Sequence, residues 1–82
     1  MISEAEKQRL RVGQKQTARA AANGTAEKVF LAEDCEQRIR ESVENAAASC
    51  GAALFYIPTM KELGEMCGID VGSSCAVITK QA

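Results

Sequence analysis

The chain contains no histidine and no tryptophan among its 82 residues, and its only aromatic side chains are Phe30, Phe55 and Tyr56. The missing imidazole removes the usual general base at neutral pH and the commonest nitrogen ligand for a metal. No nucleophile stands in a recognisable spacing with a base, so enzymatic chemistry is set aside. Platforms on which nucleic-acid bases stack have almost no residues to be built from. No stretch is long and apolar enough to span a bilayer. Internal repeats, low-complexity tracts and linkers are also absent from the pattern.

Cysteine is present but not in a metal-binding pattern. Cys35, Cys50, Cys67 and Cys75 form no CxxC pair, and zinc would need all four thiolates gathered from scattered elements. Two disulfides are the other arrangement open to four cysteines. No secretory-type apolar stretch precedes them, so a reducing, cytoplasmic setting is expected. The four are read as small apolar core residues. Neither a cofactor nor a metal is expected.

What is present suits one domain spanning residues 1–82, with an aliphatic, alanine-rich core. The net charge is −1, too small for a general polyanion binder. Its distribution is uneven. Residues 1–20 carry Lys7, Arg9, Arg11, Lys15 and Arg19 against Glu4 and Glu6, a balance of +3, and the remainder carries −4. Such polarity fits a localised anion site, and chance asymmetry in a short chain would also produce it.

Periodicity predicts alternating elements. Residues 3–8 read as a short helix. Arg9 to Val12 alternates as a short edge-like strand, broken by Gly13. Residues 15–22 (KQTARAAA) form a helix, stopped by Asn23 and Gly24. The run Lys28 to Ala32 reads as a buried strand. Asp34 is placed to cap a helix over 36–49, which carries Ile39, Val43, Ala46, Ala47 and Cys50 on one face. Gly51 ends it. Ala53 to Ile57 reads as a second buried strand. Pro58 and Thr59 open a helix through Met66 with Met60, Leu63 and Cys67 inward. Thr59 and Glu62 have capping-box separation. A loop over 69–74 leads to a last strand at Cys75 to Thr79. The α-β-α-β-α-β-α-β order predicts an α/β fold, with helices on both faces of a sheet.

The most informative segment is Val12-Gly13-Gln14-Lys15-Gln16-Thr17-Ala18-Arg19. A strand ends, a glycine turns the chain and a helix opens with long polar side chains. A helix start offers unpaired N–H groups and a positive dipole end. Lys15, Gln16 and Arg19 are spaced to share one helix face. That face suits phosphates and guanine edges. An ordinary capped and solvated helix start is the competing reading.

Several stretches together resemble a known family. GQKQTARA after a short strand, VFLAEDCE in the middle and MKELGEMCGIDVGSSCAV near the end are similar to the kink-turn RNA-binding ribosomal proteins. These are the archaeal L seven-Ae and eukaryotic L thirty-e type, and the small bacterial YbxF-like branch is the nearest in pattern. The likeness covers residues 9–80, with MKELGEMCGIDVG its most specific part. It implies an α/β/α sandwich around a mixed four-stranded sheet and a monomer that binds structured RNA, ribosomal or regulatory. A kink-turn is a bent duplex with tandem sheared G·A pairs beside a short bulge.

The resemblance also implies site residues. The family's Asn-Glu pair and following lysine fall on Lys15, Gln16 and Arg19, with Gly13 and Gln14 preceding them. Lys-Gln in place of Asn-Glu follows the bacterial branch. Val71, Gly72, Ser73 and Ser74 match the segment that packs against a flipped-out nucleotide. Arg40, Lys61 and Glu36 fall at secondary contacts, with Gln37 where a proline is usual. From the residues alone, Val71 is equally a core position, and Ser73 and Ser74 are equally solvated loop. A protein-interaction module on the same fold, without strong RNA binding, remains the alternative function.

Overall fold

The computed structural model describes residues 2–81. Its elements are α1 (Glu4–Lys7), β1 (Leu10–Val12), α2 (Gln14–Ala22), β2 (Ala26–Ala32), α3 (Gln37–Cys50), β3 (Ala53–Ile57), α4 (Met60–Cys67) and β4 (Cys75–Thr79). The order matches the sequence pattern, with boundaries moved by one or two residues. Ser3 and Glu6 close a reciprocal capping box on α1. Lys28 Nζ then reaches the Glu6 carboxylate at 2.6 Å, pinning α1 to the sheet. That hydrogen bond holds the Glu6 carboxyl below its ordinary pKa.

The sheet order is β1-β4-β2-β3. β2 and β3 pair in parallel, and β4 runs antiparallel to both of its neighbours, so β1, β2 and β3 point the same way. Strand alternation sorts the core into two layers. Val29, Leu31, Cys75 and Val77 face one side, where Ala20 of α2 and Val43 and Ala47 of α3 cover them. Phe30, Ala32, Ile57, Ala76 and Ile78 face the other, under Leu63 of α4. The result is a three-layer α/β/α sandwich on a mixed four-stranded sheet. Alanines at the helix contacts let α2 and α3 lie close to the sheet. Each fully buried side chain such as Leu31, Leu63 or Ile78 contributes roughly 1.5–3 kcal/mol.

Two segments depart from the sequence pattern. Ala53 to Ile57 is not a buried strand. β3 lies at the sheet edge, with Phe55 42% and Tyr56 44% exposed. Its apolar run suits packing on both faces, but its outer side has no strand and little helix cover. Phe55 compensates by stacking on Phe30, with ring centroids 5.5 Å apart. Asp34, in turn, does not cap α3. The N-cap there is Glu36, and it makes no side-chain capping bond.

The cysteines are free thiols. Cys75 is buried, Cys35 and Cys50 border the layer under α2 and α3, and Cys67 borders the other. Burial pushes the Cys35 and Cys67 thiols up in pKa, as for small apolar packing residues. Among the described residues no helix is long and apolar enough to cross a membrane.

Candidate functional site

Strand direction decides where chemistry collects. Because β1, β2 and β3 are codirectional, the helix starts that follow them gather at one end of the sheet. The loop entering the opposed β4 arrives at the same end. The starts of α2, α3 and α4 and residues 71–74 thereby share one end of the molecule, although they are far apart in sequence.

The start of α2 is open. Gly13 adopts φ 104° and serves as N-cap without a side chain to accept from the first turn. A residue with a Cβ is strained at that angle. Gly13 N–H donates to the Cys75 carbonyl at 2.9 Å, which locks the turn onto β4. Its own carbonyl accepts from the Thr17 N–H and, at 2.9 Å, from the Thr17 hydroxyl. No acidic residue lies in the first turn. The leading N–H groups and the positive dipole end therefore have no internal anion, and an external one would be favoured there.

The start of α4 is closed. The Thr59 hydroxyl accepts from the Glu62 N–H at 3.1 Å. The Asp34 carboxylate, expected on α3, instead accepts from the Met60 N–H at 2.8 Å. Asp34 thus links the β2–α3 loop to α4, a connection between distant segments that local spacing does not show. Met60, expected inward, is 37% exposed.

The α2 side chains do not all share one hollow. Gln14 and Lys15 line a shallow depression of about 330 Å³ between α2 and α3, with Thr17, Ala18 and Ser42. Gln16 and Arg19 line a separate one of about 250 Å³ on the opposite flank, together with Arg11 and Asn23. Arg11 was not among the sequence candidates. The signal for it lay in strand alternation, which sends Leu10 to the α4 face and Arg11 to the α2 face.

The loop at 71–74 is mixed. Val71 is 70% exposed, so it is a surface residue and not core. Gly72 lies close over the Met60 backbone, where an added Cβ would be tightly placed at 3.3 Å. Ser73 is buried, its hydroxyl donating to the Cys75 carbonyl at 2.7 Å and its N–H to the Met60 carbonyl at 3.0 Å. Its side chain holds the loop and is turned away from solvent. Ser74 is half-buried, and its carbonyl accepts from the Ala32 N–H at 2.9 Å.

Gly64, like Arg11, carries no motif that marks it for a site. It is buried within α4, and a Cβ there would collide with the Val71 carbonyl. The loop lies against the helix only because Gly64 has no side chain. An isolated glycine inside a helical pattern was the available signal.

The remaining candidates are spread around this end. Lys61 is exposed in the first turn of α4. Glu36 is exposed, 3.8 Å from Arg38. Arg40 is engaged internally. It donates to the Glu33 carbonyl at 2.9 Å, lies 3.9 Å from Glu44 and sits over the Tyr56 ring, 5.6 Å from its centroid. The Tyr56 hydroxyl bonds Glu44, which raises its pKa. As an outward contact Arg40 is less available than its position in the sequence indicates.

Known proteins match this chain closely. The Geobacillus stearothermophilus protein named RNA-binding protein YbxF is 38% identical over 69 residues, 84% of each chain. A protein named RNA-binding protein TTE2299, from Caldanaerobacter subterraneus subsp. tengcongensis, is 45% identical over 65 residues, 79% of each chain. The large ribosomal subunit protein eL8 of Haloquadratum walsbyi is 36% identical over 80% of this chain and 56% of its own. A solved structure of a protein with unknown function from Bacillus halodurans superposes with a TM-score of 0.80, covering 95% of this chain and 77% of that one at 20% identity. That likeness shows the fold. The family model described as "Ribosomal protein L7Ae/L30e/S12e/Gadd45 family" matches residues 2–82, and the chain is a member of that family.

Proposed function

We propose that this protein binds structured RNA through the end of the sheet where α2 begins, and that its target is a kink-turn. The carrying observation is the open start of α2, with Gln14, Lys15, Gln16 and Arg19 exposed or half-exposed around an uncapped N-terminus. Relatives named as RNA-binding proteins, and an archaeal ribosomal protein, support the reading.

The physical case has two parts. A-form RNA hides its base edges in a deep, narrow major groove, and a kink with unpaired nucleotides opens it. Gln16 and Arg19 then meet purine edges, and Lys15 with the leading N–H groups meets phosphate. An exposed valine covers an unstacked base by apolar contact, which suits a chain nearly without aromatics. With a net charge of −1, non-specific phosphate affinity is small, so shape and a few base contacts carry selectivity. The whole chain acts as one domain in this reading, as a monomer, in the cytoplasm, without catalysis.

Gel shift or calorimetry on a kink-turn RNA and a plain duplex of equal length tests the proposal. Clear preference for the kink-turn, weakening as salt rises, is the expected result. Equal affinity at moderate salt overturns it.

A further inference from the structure

Resting on the RNA reading above, we infer that the hollow on the outer flank of α2 is a second contact, for the phosphates of the duplex that leaves the kink. Arg11 and Arg19 are its charged residues. β1 is an edge strand, so no further strand covers its outer side. Leu10 packs toward the α4 layer, and alternation turns Arg11 to the α2 face. There Arg11 meets Gln16, Arg19 and Asn23 around a depression of about 250 Å³.

The chemistry of the lining selects the ligand. Two guanidinium groups and two side-chain amides face the hollow, and its lining contains no carboxylate. Every other arginine lies beside an acid: Arg9 beside Glu27, Arg38 beside Glu36 and Arg40 beside Glu44. Among the described residues, Arg11 and Arg19 have no such partner. Arg11 donates only to the backbone carbonyls of Gln8, at 3.3 Å, and Leu10, at 2.9 Å, and its exposed guanidinium keeps donors to spare. An unopposed, concave pair of guanidinium groups suits phosphodiester oxygens. The hollow shares Gln16 and Arg19 with the start of α2, so one strand entering there continues along the edge of β1. A nine-residue helix is about 13 Å long, which extends the footprint past the kink without needing more residues.

The test is the salt dependence of kink-turn binding. The RNA carries a full duplex arm on each side, and Arg11→Ala, Arg11→Lys, Lys7→Ala and Gln16→Ala are compared. Arg11→Ala should bind several-fold more weakly, and the slope of log affinity against log salt should shrink by about one, as for one lost phosphate contact. Arg11→Lys should restore most of that slope. Lys7→Ala removes the same charge from α1 and should change the slope little. Thermal melts should be unchanged, because the Arg11 side chain packs into no core. Arg11→Ala matching the wild type, or losing no more than Lys7→Ala, overturns the inference. Gln16→Ala separates the two readings. If it weakens binding and Arg11→Ala does not, only the outer subsite fails. If both are silent, the assignment of α2 fails as well. If only Arg11→Ala weakens binding, the subsite stands and base reading by Gln16 falls.

Discussion

Two helices begin at the same end of this sheet, on its opposite faces, and they begin in opposite ways. α2 starts at a glycine with no capping side chain and no acid in its first turn. α4 starts under two acceptors, Thr59 from its own segment and Asp34 from the loop after β2. A cap satisfies an orphan N–H and stabilises a helix by about 1 kcal/mol. Leaving α2 without one forgoes that stability and keeps its N–H groups available. The α4 start anchors the loop that carries Val71. Binding capacity and rigidity are thus divided between two elements at one end of the sheet, and the division can be tested at each of them.

The largest expected effect is at Val71, the most exposed large apolar residue among those described. Val71→Asp should leave the thermal midpoint nearly unchanged and reduce kink-turn binding by more than about 3 kcal/mol, because a carboxylate would be buried uncompensated against a base and phosphates. A large loss of stability would show instead that the residue belongs to the α4 anchor. Gly64→Ala reverses the test. A Cβ there meets the Val71 carbonyl, and overpacking costs about 1–3 kcal/mol, more than the ~1 kcal/mol by which alanine favours a helix over glycine. The midpoint should fall by several degrees, and binding should weaken because the loop moves. An unchanged melt would mean the loop is not seated by Gly64.

Gln16→Ala and Arg19→Ala should each lower affinity by about 1–3 kcal/mol, the value of a good base contact, with melts unchanged. Both side chains are on the open helix, so a stability loss in either would contradict the division. The smallest effect is at Asp34. Asp34→Ala should cost about 1 kcal/mol of stability, read from denaturant or thermal melts. Affinity should change less than in the Gln16 variant. A stronger effect on binding than on stability would place Asp34 in the interface.

Much of this was legible in the sequence because it depends on local rules. The helix at KQTARAAA, the glycine before it and the stop at Gly51 follow from propensity and backbone geometry within a few residues. The core followed from periodicity, since Val29, Leu31, Val77 and Ile78 must be buried somewhere. The end of the molecule that bears the candidate residues was legible in part. GQKQTAR stood out by its own chemistry, while residues 71–74 entered only through family likeness.

Other features depend on which segments become neighbours, and no local rule supplies that. Ala53 to Ile57 reads as central from its apolar run, yet strand order leaves it at the edge. Asp34 reads as the cap of the helix that follows it, but a carboxylate binds whichever free N–H lies nearest in space, and Met60 is closer. Ser73 reads as a polar loop residue and is buried because the loop folds back onto α4. Lys15, Gln16 and Arg19 are spaced for a common face, and packing against α3 on one flank and β1 on the other divides them between two hollows. The sequence by itself determined the elements, the two-layered core and the glycine that turns the chain into α2, because these arise from spacing, propensity and alternation. Only the tertiary structure decided that Arg11 lies beside Arg19, that Asp34 serves α4 and that Gly64 seats Val71, because each joins residues whose separation along the chain carries no physical interaction until the sheet has formed.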